Sequence, residues 1–524
     1  MTSFADQTRI FEMTTLLSLK DFLLMRGRAF LFLLYAVSVA TAEATDVDLP
    51  FVAVPAEDSG LTHKVEIRSE TVAEGIKYPW MSSLVDINAD GHLDIMYYGH
   101  HGGGAAIWFG KGNGTFKLDP DGYTARWVFG ARDPVWLDVN GDNAMDAVGT
   151  EGYMIKGFLY LNTGDGHFEK TALRYHGNFV DLNHDGHHDE LWGGRSGTHS
   201  MTPGIHEWGE TQPQKIAVAK LWMPEDVLPW PEDVERNSHP LAPQFHTGVS
   251  ADLDGDGKAE LVVTFSKKNF SWVLKRSGET WTDNTAAMGL PAGEPMWLFP
   301  DDLDVDGDLD LVDMWHGRWF VNDGKGKFTR SEQRIFDPKA RKRGHPWDGD
   351  GECQFIDLDN NGFRDIMFAG DHTTAAGAFL NMGGGKFVET PQVNGSRRLR
   401  KFGDVDGDYD LDMVRCGSTA TLYRNETPNT ALKLKLVPKS YAETALGCSV
   451  WVYQAGKLGD SKSLIHYRQC FMPRGMHRST ILDTTLHVGL GQAASADVRV
   501  RFADGTTKDI KGVKARTTVT LKQE

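Results

Sequence analysis

Cysteine is scarce in this chain: Cys353, Cys416, Cys448 and Cys470 are the only four among 524 residues. No Cys-x-x-Cys pair occurs and no Cys/His set has zinc-ligand spacing, which excludes a zinc ribbon, a zinc finger and a dithiol redox centre. Nucleophile elbow, phosphate loop and dinucleotide fingerprint are also missing. Positive charge is in deficit, with 55 Lys and Arg against 72 Asp and Glu and a net charge of −17. The continuous basic stripe that nucleic acid requires is not there. Beyond residue 42 no apolar run is long enough to cross a bilayer.

The first 42 residues read as a targeting segment. Arg26 and Arg28 precede the apolar run 29–37, and Ala40-Thr-Ala42 offers a small-residue cleavage site. Met25, immediately before the basic pair, is the expected true start. Export sets the redox alternatives for the cysteines. Either they form two disulfides, or all four are buried thiols. Cys448 and Cys470 flank a hairpin turning near Gly459; Cys353 and Cys416 lie four residues from acidic loops of adjacent repeats.

What the chain has in quantity is aspartate, delivered in bursts. The run Asp302-Leu-Asp-Val-Asp-Gly-Asp-Leu-Asp310 places five acids at alternate positions around Gly307. Five carboxylates in nine residues repel one another unless a cation neutralises them, and Ca²⁺ accepts six to eight oxygen ligands in a flexible shell. The flanking segments are short and apolar, so this is a metal loop at the tip of a β-hairpin and not an EF-hand. Position 12 is Asp313, where an EF-hand needs Glu.

The burst occurs seven times, starting at 86, 138, 181, 252, 302, 357 and 404. The candidate ligands at positions 1, 3, 5 and 9 are Asp86, Asn88, Asp90 and Asp94, then Asp138, Asn140, Asp142 and Asp146, then Asp181, Asn183, Asp185 and Asp189. They continue as Asp252, Asp254, Asp256 and Glu260, then Asp302, Asp304, Asp306 and Asp310. The last two sets are Asp357, Asp359, Asn361 and Asp365, and Asp404, Asp406, Asp408 and Asp412. The carbonyl at position 7 is a further ligand in each. Position 6 calls for a left-handed backbone, supplied by Gly in most copies and by Asn143 in the second. These loops hold 26 of the 72 acids, and seven divalent cations would bring −17 to about −3.

A period near 50 residues with several short strands per period predicts radially arranged four-stranded blades. The loops, together with "LYLNTGDGHF" (159–168), resemble the FG-GAP/VCBS repeats of integrin-type β-propellers. That resemblance implies an all-β fold of seven blades over residues 43–427, with up to seven structural Ca²⁺ ions held between inner strands. Residues 43–79 are expected to supply a strand closing the last blade. Aromatics after the outer turns are expected to pack between blades. The longest interval, with its excess at 195–245, is either a lid or partner surface, or packing on a neighbouring blade.

From residue 428 the bursts stop and alternating strands begin. "NTALKLKLV" (429–437), "GCSVWVY" (447–453) and "LHVGLGQAASADVRVRFADGTT" (486–507) resemble the ASPIC/UnbV domain that follows such propellers in the cartilage-acidic-protein-like family. This implies a small β-sandwich over 428–524. The stretch "FMPRGMHRSTILD" (471–483) departs from that family's pattern.

If the acidic loops mark one rim, the opposite rim carries His100, His101, His176, Arg195, His239, His246, His316, His345, Asp371 and His372. Such a set either lines a ligand-binding or catalytic mouth or caps turns. The leading expectation is an exported binding module for an extracellular or periplasmic protein or glycan, stabilised by calcium, rather than an enzyme. The rivals are a lyase, dehydratase or hydrolase acting on a carbohydrate or small substrate at the histidine-rich mouth, and a purely structural matrix protein. Four sequons, at Asn113, Asn269, Asn394 and Asn425, matter only in a eukaryotic secretory pathway.

Overall fold

The computed structural model describes residues 49–64, 81–98, 106–121, most of 131–191, 205–208, 218–222, 245–265, 271–337, 352–369, 377–390, 400–416, 419–439, 445–471, 480–481 and 485–524, apart from a few single positions. Among these residues the fold is all-β, with one four-residue α-helical turn, Ala56–Ser59, and a short 3₁₀ turn.

Antiparallel sheets built as four-strand meanders account for the repeat region. The first joins Met81–Val85, Asp94–Tyr98, Ile107–Gly110 and Phe116–Leu118. The second runs from Ala131–Leu137 to Phe168–Tyr175, the third from Asn178–Val180 to Val218–Trp222, and the fourth from Phe245–Ala251 to Thr280–Asp283. The fifth is Leu298–Asp301, Asp310–Asp313, Arg318–Asn322 and Phe328–Arg330. The sixth runs from Glu352–Ile356 to Phe387–Glu389. The seventh has three consecutive strands, Arg400–Gly403, Asp412–Cys416 and Ala420–Asn425, and takes its fourth from the other end of the chain. Phe51–Ala53 pairs with Tyr423–Asn425, the closing strand the sequence led us to expect.

Inner strands such as Leu298–Asp301 and Asp310–Asp313 are buried throughout, because the fifth sheet is covered by the fourth on one side and the sixth on the other. Trp136 of the second sheet packs with Val85 and Met96 of the first, and Phe328 and Phe320 of the fifth with Val249 and Leu253 of the fourth. Leu84, Ile95 and Trp108 of the first sheet share a core with Val405, Val414 and Leu422 of the seventh. The Gly114 N–H also donates to the Val405 carbonyl at 3.0 Å, so first and last sheets meet directly. The aromatics after the outer turns, Phe116, Phe168 and Phe328, lie in these shared cores, as anticipated. Part of the long interval is ordinary repeat: Ile205–Trp208 and Val218–Trp222 are the outer strands of the third sheet. Residues 223–244 lie outside the described ones.

The C-terminal unit has two sheets. Thr430–Val437 lies between Thr485–Gly491, antiparallel, and Thr518–Lys522, parallel. The other sheet orders Leu464–Gln469, Ser449–Gln454, Ser495–Arg501 and Thr507–Lys514. Leu432, Leu434, Val450, Val498 and Leu521 fill the space between them. Thr480–Ile481 leaves this unit altogether and pairs in parallel with Val135–Trp136, on the inner edge of the second sheet.

Cys448 and Cys470 do stand opposite each other, with the Cys470 N–H donating to the Cys448 carbonyl at 2.8 Å. They are not joined as a disulfide. Both are buried thiols in the sandwich core, as is Cys416 between the first and seventh sheets. Burial pushes the Cys416 thiol up to about 12. The Cys353 side chain lies outside the described residues.

Candidate metal centres

Each acidic loop joins the two inner strands of a sheet, and its shape follows from carboxylates accepting backbone N–H groups. The position-1 acid folds the turn. Asp86 accepts from Asp90 and Gly91 (3.2 and 2.8 Å), Asp138 from Asn143 (2.8 Å), and Asp357 from Asn361 and Gly362 (3.0 and 2.8 Å). The position-9 acid ties the loop to the sheet. Asp310 accepts from Leu303 at 3.1 Å and Asn322 at 2.9 Å; Asp365 accepts from Leu358 and Asn381, both at 2.7 Å. Asp94 and Asp412 do the same. Position 9 is thus a structural staple as well as a candidate ligand. The loop at 181–189 lies outside the described residues except for Asp189, which opens a strand.

Position 6 is left-handed as anticipated, at Gly307 (φ 100°) and Asn143 (φ 69°). Position 4 is left-handed too, which the sequence did not suggest: Ala89 (φ 56°), Asn360 (φ 56°) and Val305 (φ 60°). For a β-branched residue this costs on the order of 1–3 kcal/mol. At Val305 the conformation is held by its N–H donating to Asp302 Oδ1 at 2.7 Å.

Acid oxygens converge within 4.8 Å of one another in four loops: Asp302, Asp304 and Asp306; Asp357, Asp359 and Asp365; Asp404, Asp406 and Asp412; and Asp252, Asp254 and Glu260. At that separation two unneutralised carboxylates repel by about 3 kcal/mol at an effective dielectric of about 20. The loop at 302–310 is the most exacting. Asp302 and Asp310 are only 2% and 1% exposed, and burial, then neighbouring acids, raise both well above the carboxylate range. Burial and Asp306 push Asp304 up to about 6 and Asp308 up to about 7. Asp304 Oδ1 and Asp308 Oδ1 are buried with no hydrogen-bond partner, as are Asp406 Oδ1 in the last loop and Asp252 Oδ1 and Glu260 Oε1 in the loop at 252–260. Orphaned anionic oxygens facing a shared centre fit a hard divalent cation. The loop at 252–260 is different. Lys275 bonds Asp254 and lies 3.0 Å from Asp256 and 3.2 Å from Glu260.

The sequence did not indicate what covers these loops. Arg501 of the C-terminal unit pairs with Asp252 at 3.0 Å, and Lys433 with Asp404 at 2.7 Å. His487 Nε2 is 2.7 Å from Asn360 Oδ1, and the Gly491 N–H donates to the Asn360 carbonyl at 2.7 Å. A Cβ on Gly489 would fall 2.0 Å from Asp357 Oδ2; one on Gly307 would touch Leu464 and Trp451. Gly91, in the first loop, has open space above it. The sandwich therefore rests on the loops of the fourth to seventh sheets.

The sequence also left unremarked a recurring asparagine at the end of the third strand. Asn162, Asn322, Asn381 and Asn425 each donate their amide to the position-2 carbonyl of the preceding sheet's loop, at 2.7–2.8 Å. Asn425, one of the four sequons, is fully buried in this role and closed to glycosylation.

Of the ten residues placed at the opposite rim, His316 alone has a described side chain. Its Nδ1 lies 2.6 Å from Asp313 Oδ2, and buried Asp313 also receives Arg318 at 3.0 Å. His246 falls within Phe245–Ala251 without a described side chain. His100, His101, His176, Arg195, His239, His345, Asp371 and His372 lie outside the described residues.

The FG-GAP-like repeat family matches residues 86–149 and 252–312, and the family described as ASPIC and UnbV matches 439–524. No curated protein matches the chain. Solved structures align over much of it at low similarity. A Photorhabdus luminescens Tc holotoxin pore is 13% identical (TM-score 0.34), over 88% of this chain and 20% of that one, so the chain spans about a fifth of the toxin chain's length. BBS1N in complex with ARL6DN is 10% identical (0.33; 72% and 97% of the two chains), and the exotype rhamnogalacturonan lyase YesX 11% (0.27; 90% and 77%).

Proposed function

We propose that this chain, which carries FG-GAP-like repeats followed by a C-terminal ASPIC/UnbV domain, is an exported interaction module whose repeats form a calcium-stabilised seven-bladed ring. The boundaries are a leader over 1–42, the ring over 43–427 and the sandwich over 428–524. The ligand is an extracellular or periplasmic protein or glycan. One observation carries the calcium reading: oxygens of Asp302, Asp304 and Asp306 converge within 4.8 Å, beside buried, partnerless Asp304 Oδ1 and Asp308 Oδ1, with no cationic side chain paired to them among the described residues. Asp302, Asp304 and Asp306 would hold the ion there, with Asp357, Asp359 and Asp365, and Asp404, Asp406 and Asp412, holding others. Bound calcium would cancel the repulsion and lock each inner hairpin, a structural task rather than a catalytic one.

Binding is preferred to catalysis because the inner edge of the second sheet is already paired with Thr480–Ile481. A strand on that edge narrows the space in which an enzyme of this architecture would hold a small substrate. The His316 ring, moreover, is engaged by Asp313. The test is capture of glycans from an array, and of proteins from the exporting cell's surroundings, by the full chain in millimolar calcium and again with chelator. Calcium-dependent capture supports the module. Turnover of a carbohydrate substrate, lost on mutating His316, would favour the enzyme.

A further inference from the structure

The loop at 252–260 differs from its neighbours in what lies at its centre. The Lys275 ammonium, from strand Ser271–Ser277 of the same sheet, donates to Asp254 and to Asp256 at 3.0 Å and lies 3.2 Å from Glu260 Oε1 as an ion pair without a hydrogen bond. The remaining acid, Asp252, is taken by Arg501 at 3.0 Å. Each carboxylate at the ligand positions of this loop therefore faces a cationic side chain. Among the described residues, none of the five acids at 302–310 does. The last loop is intermediate: Lys433 pairs with Asp404 and Arg424 with Asp406.

We propose that the loop at 252–260 is filled by Lys275 in place of a divalent ion and serves as a metal-independent latch for the C-terminal unit. This rests on the calcium reading of the other loops. The ammonium occupies positions 3, 5 and 9, the side chains a metal would use, and a divalent ion at that centre would meet a positive charge a few ångströms away. With the centre occupied from within the sheet, Asp252 is available to the C-terminal unit. Its carboxylate pairs with Arg501, whose guanidinium lies 5.6 Å over the Trp451 ring, and its N–H donates to Gln469 Oε1 at 2.9 Å. Both ends of this one residue are held by the sandwich.

The test is an anomalous difference map from crystals of the full chain grown with terbium replacing calcium. Wild type is expected to show peaks at 302–310 and 357–365 and none at 252–260. Lys275→Met is expected to gain a peak at 252–260 and one further ion per chain by equilibrium dialysis. A wild-type peak at 252–260 overturns the proposal, as does a Lys275→Met map that keeps the 302–310 peak but gains none. No peak at any loop overturns the calcium reading and the lysine assignment together. Should Lys275→Met fail to fold, the wild-type map decides alone.

Discussion

The Asn322 side-chain amide donates to the Leu253 carbonyl at 2.8 Å, across the boundary between the fifth and fourth sheets. The same amide bonds Leu309 in its own loop at 2.9 Å, and its oxygen accepts from Gly326 at 3.1 Å. One buried side chain thus satisfies the acidic loops of two sheets and the outer turn of one. The chain repeats the device at Asn162, Asn381 and Asn425.

Asn322→Ala should therefore be costly. It strands two buried carbonyls and one N–H, each worth about 1–3 kcal/mol. We expect a loss of about 2–5 kcal/mol in urea unfolding, against under about 0.5 kcal/mol for Asn113→Ala in the exposed turn of the first sheet. Equal effects at the two positions would show that the inter-sheet clamp contributes nothing.

Gly489→Ala tests the seat of the C-terminal unit. The added methyl would lie 2.0 Å from Asp357 Oδ2 and 2.7 Å from the Asn360 backbone. Overpacking of this kind costs about 1–3 kcal/mol. The expected readout is faster proteolysis between 425 and 445 with the rest of the repeat region intact. Unchanged digestion would mean that the two units do not rest on each other at this loop.

Metal-free protein should lose stability as pH rises from 6.5 to 8.5. Burial pushes Asp94 and Asp412 up to about 8, and Glu260 and Asp308 up to about 7. Groups raised in the folded state bind more protons folded than unfolded, so their contribution is complete below the unfolded carboxylate pKa and lost as pH passes the folded value. His466, buried, and His487, half-buried, between sandwich and loops are pushed down to about 3 and act in the opposite direction, but only below about pH 6.5, where the unfolded imidazole protonates. Above that pH the carboxylates set most of the slope, and the buried Cys416 and Cys470 thiols, raised to about 12 and about 11, add to the same fall as unfolded thiols ionise. Calcium should flatten it; a chelated melting temperature that is level from 6.5 to 8.5 would count against the buried-acid account.

The sheets were legible in the sequence because each acidic burst marks a hairpin tip, and the bursts keep phase. The closing strand was an expectation of the propeller resemblance, since closure leaves no exposed edge. The asparagine clamp was hidden because Asn162 and Asn322 sit in Gly/Asp turns, where asparagine needs no other explanation. The seating of Arg501 and Lys433 on Asp252 and Asp404 was hidden for a different reason. These pairs are 249 and 29 residues apart, and nothing local marks a cation as the partner of a distant loop. The left-handed Val305 runs against its own side-chain preference and is imposed by Asp302.

Thermal melting of the full chain with its calcium content measured, before and after chelation at pH 7.5, bears most directly on the central claim. Each ion held at a hundredfold above its Kd stabilises by about 2.7 kcal/mol, and 1 kcal/mol moves Tm by about 2–4 °C in a domain of 150–250 residues. We predict bound calcium at the outset and a fall in Tm of at least about 5 °C on its removal, reversed on adding it back. An unchanged Tm in protein shown to be free of metal would contradict the account.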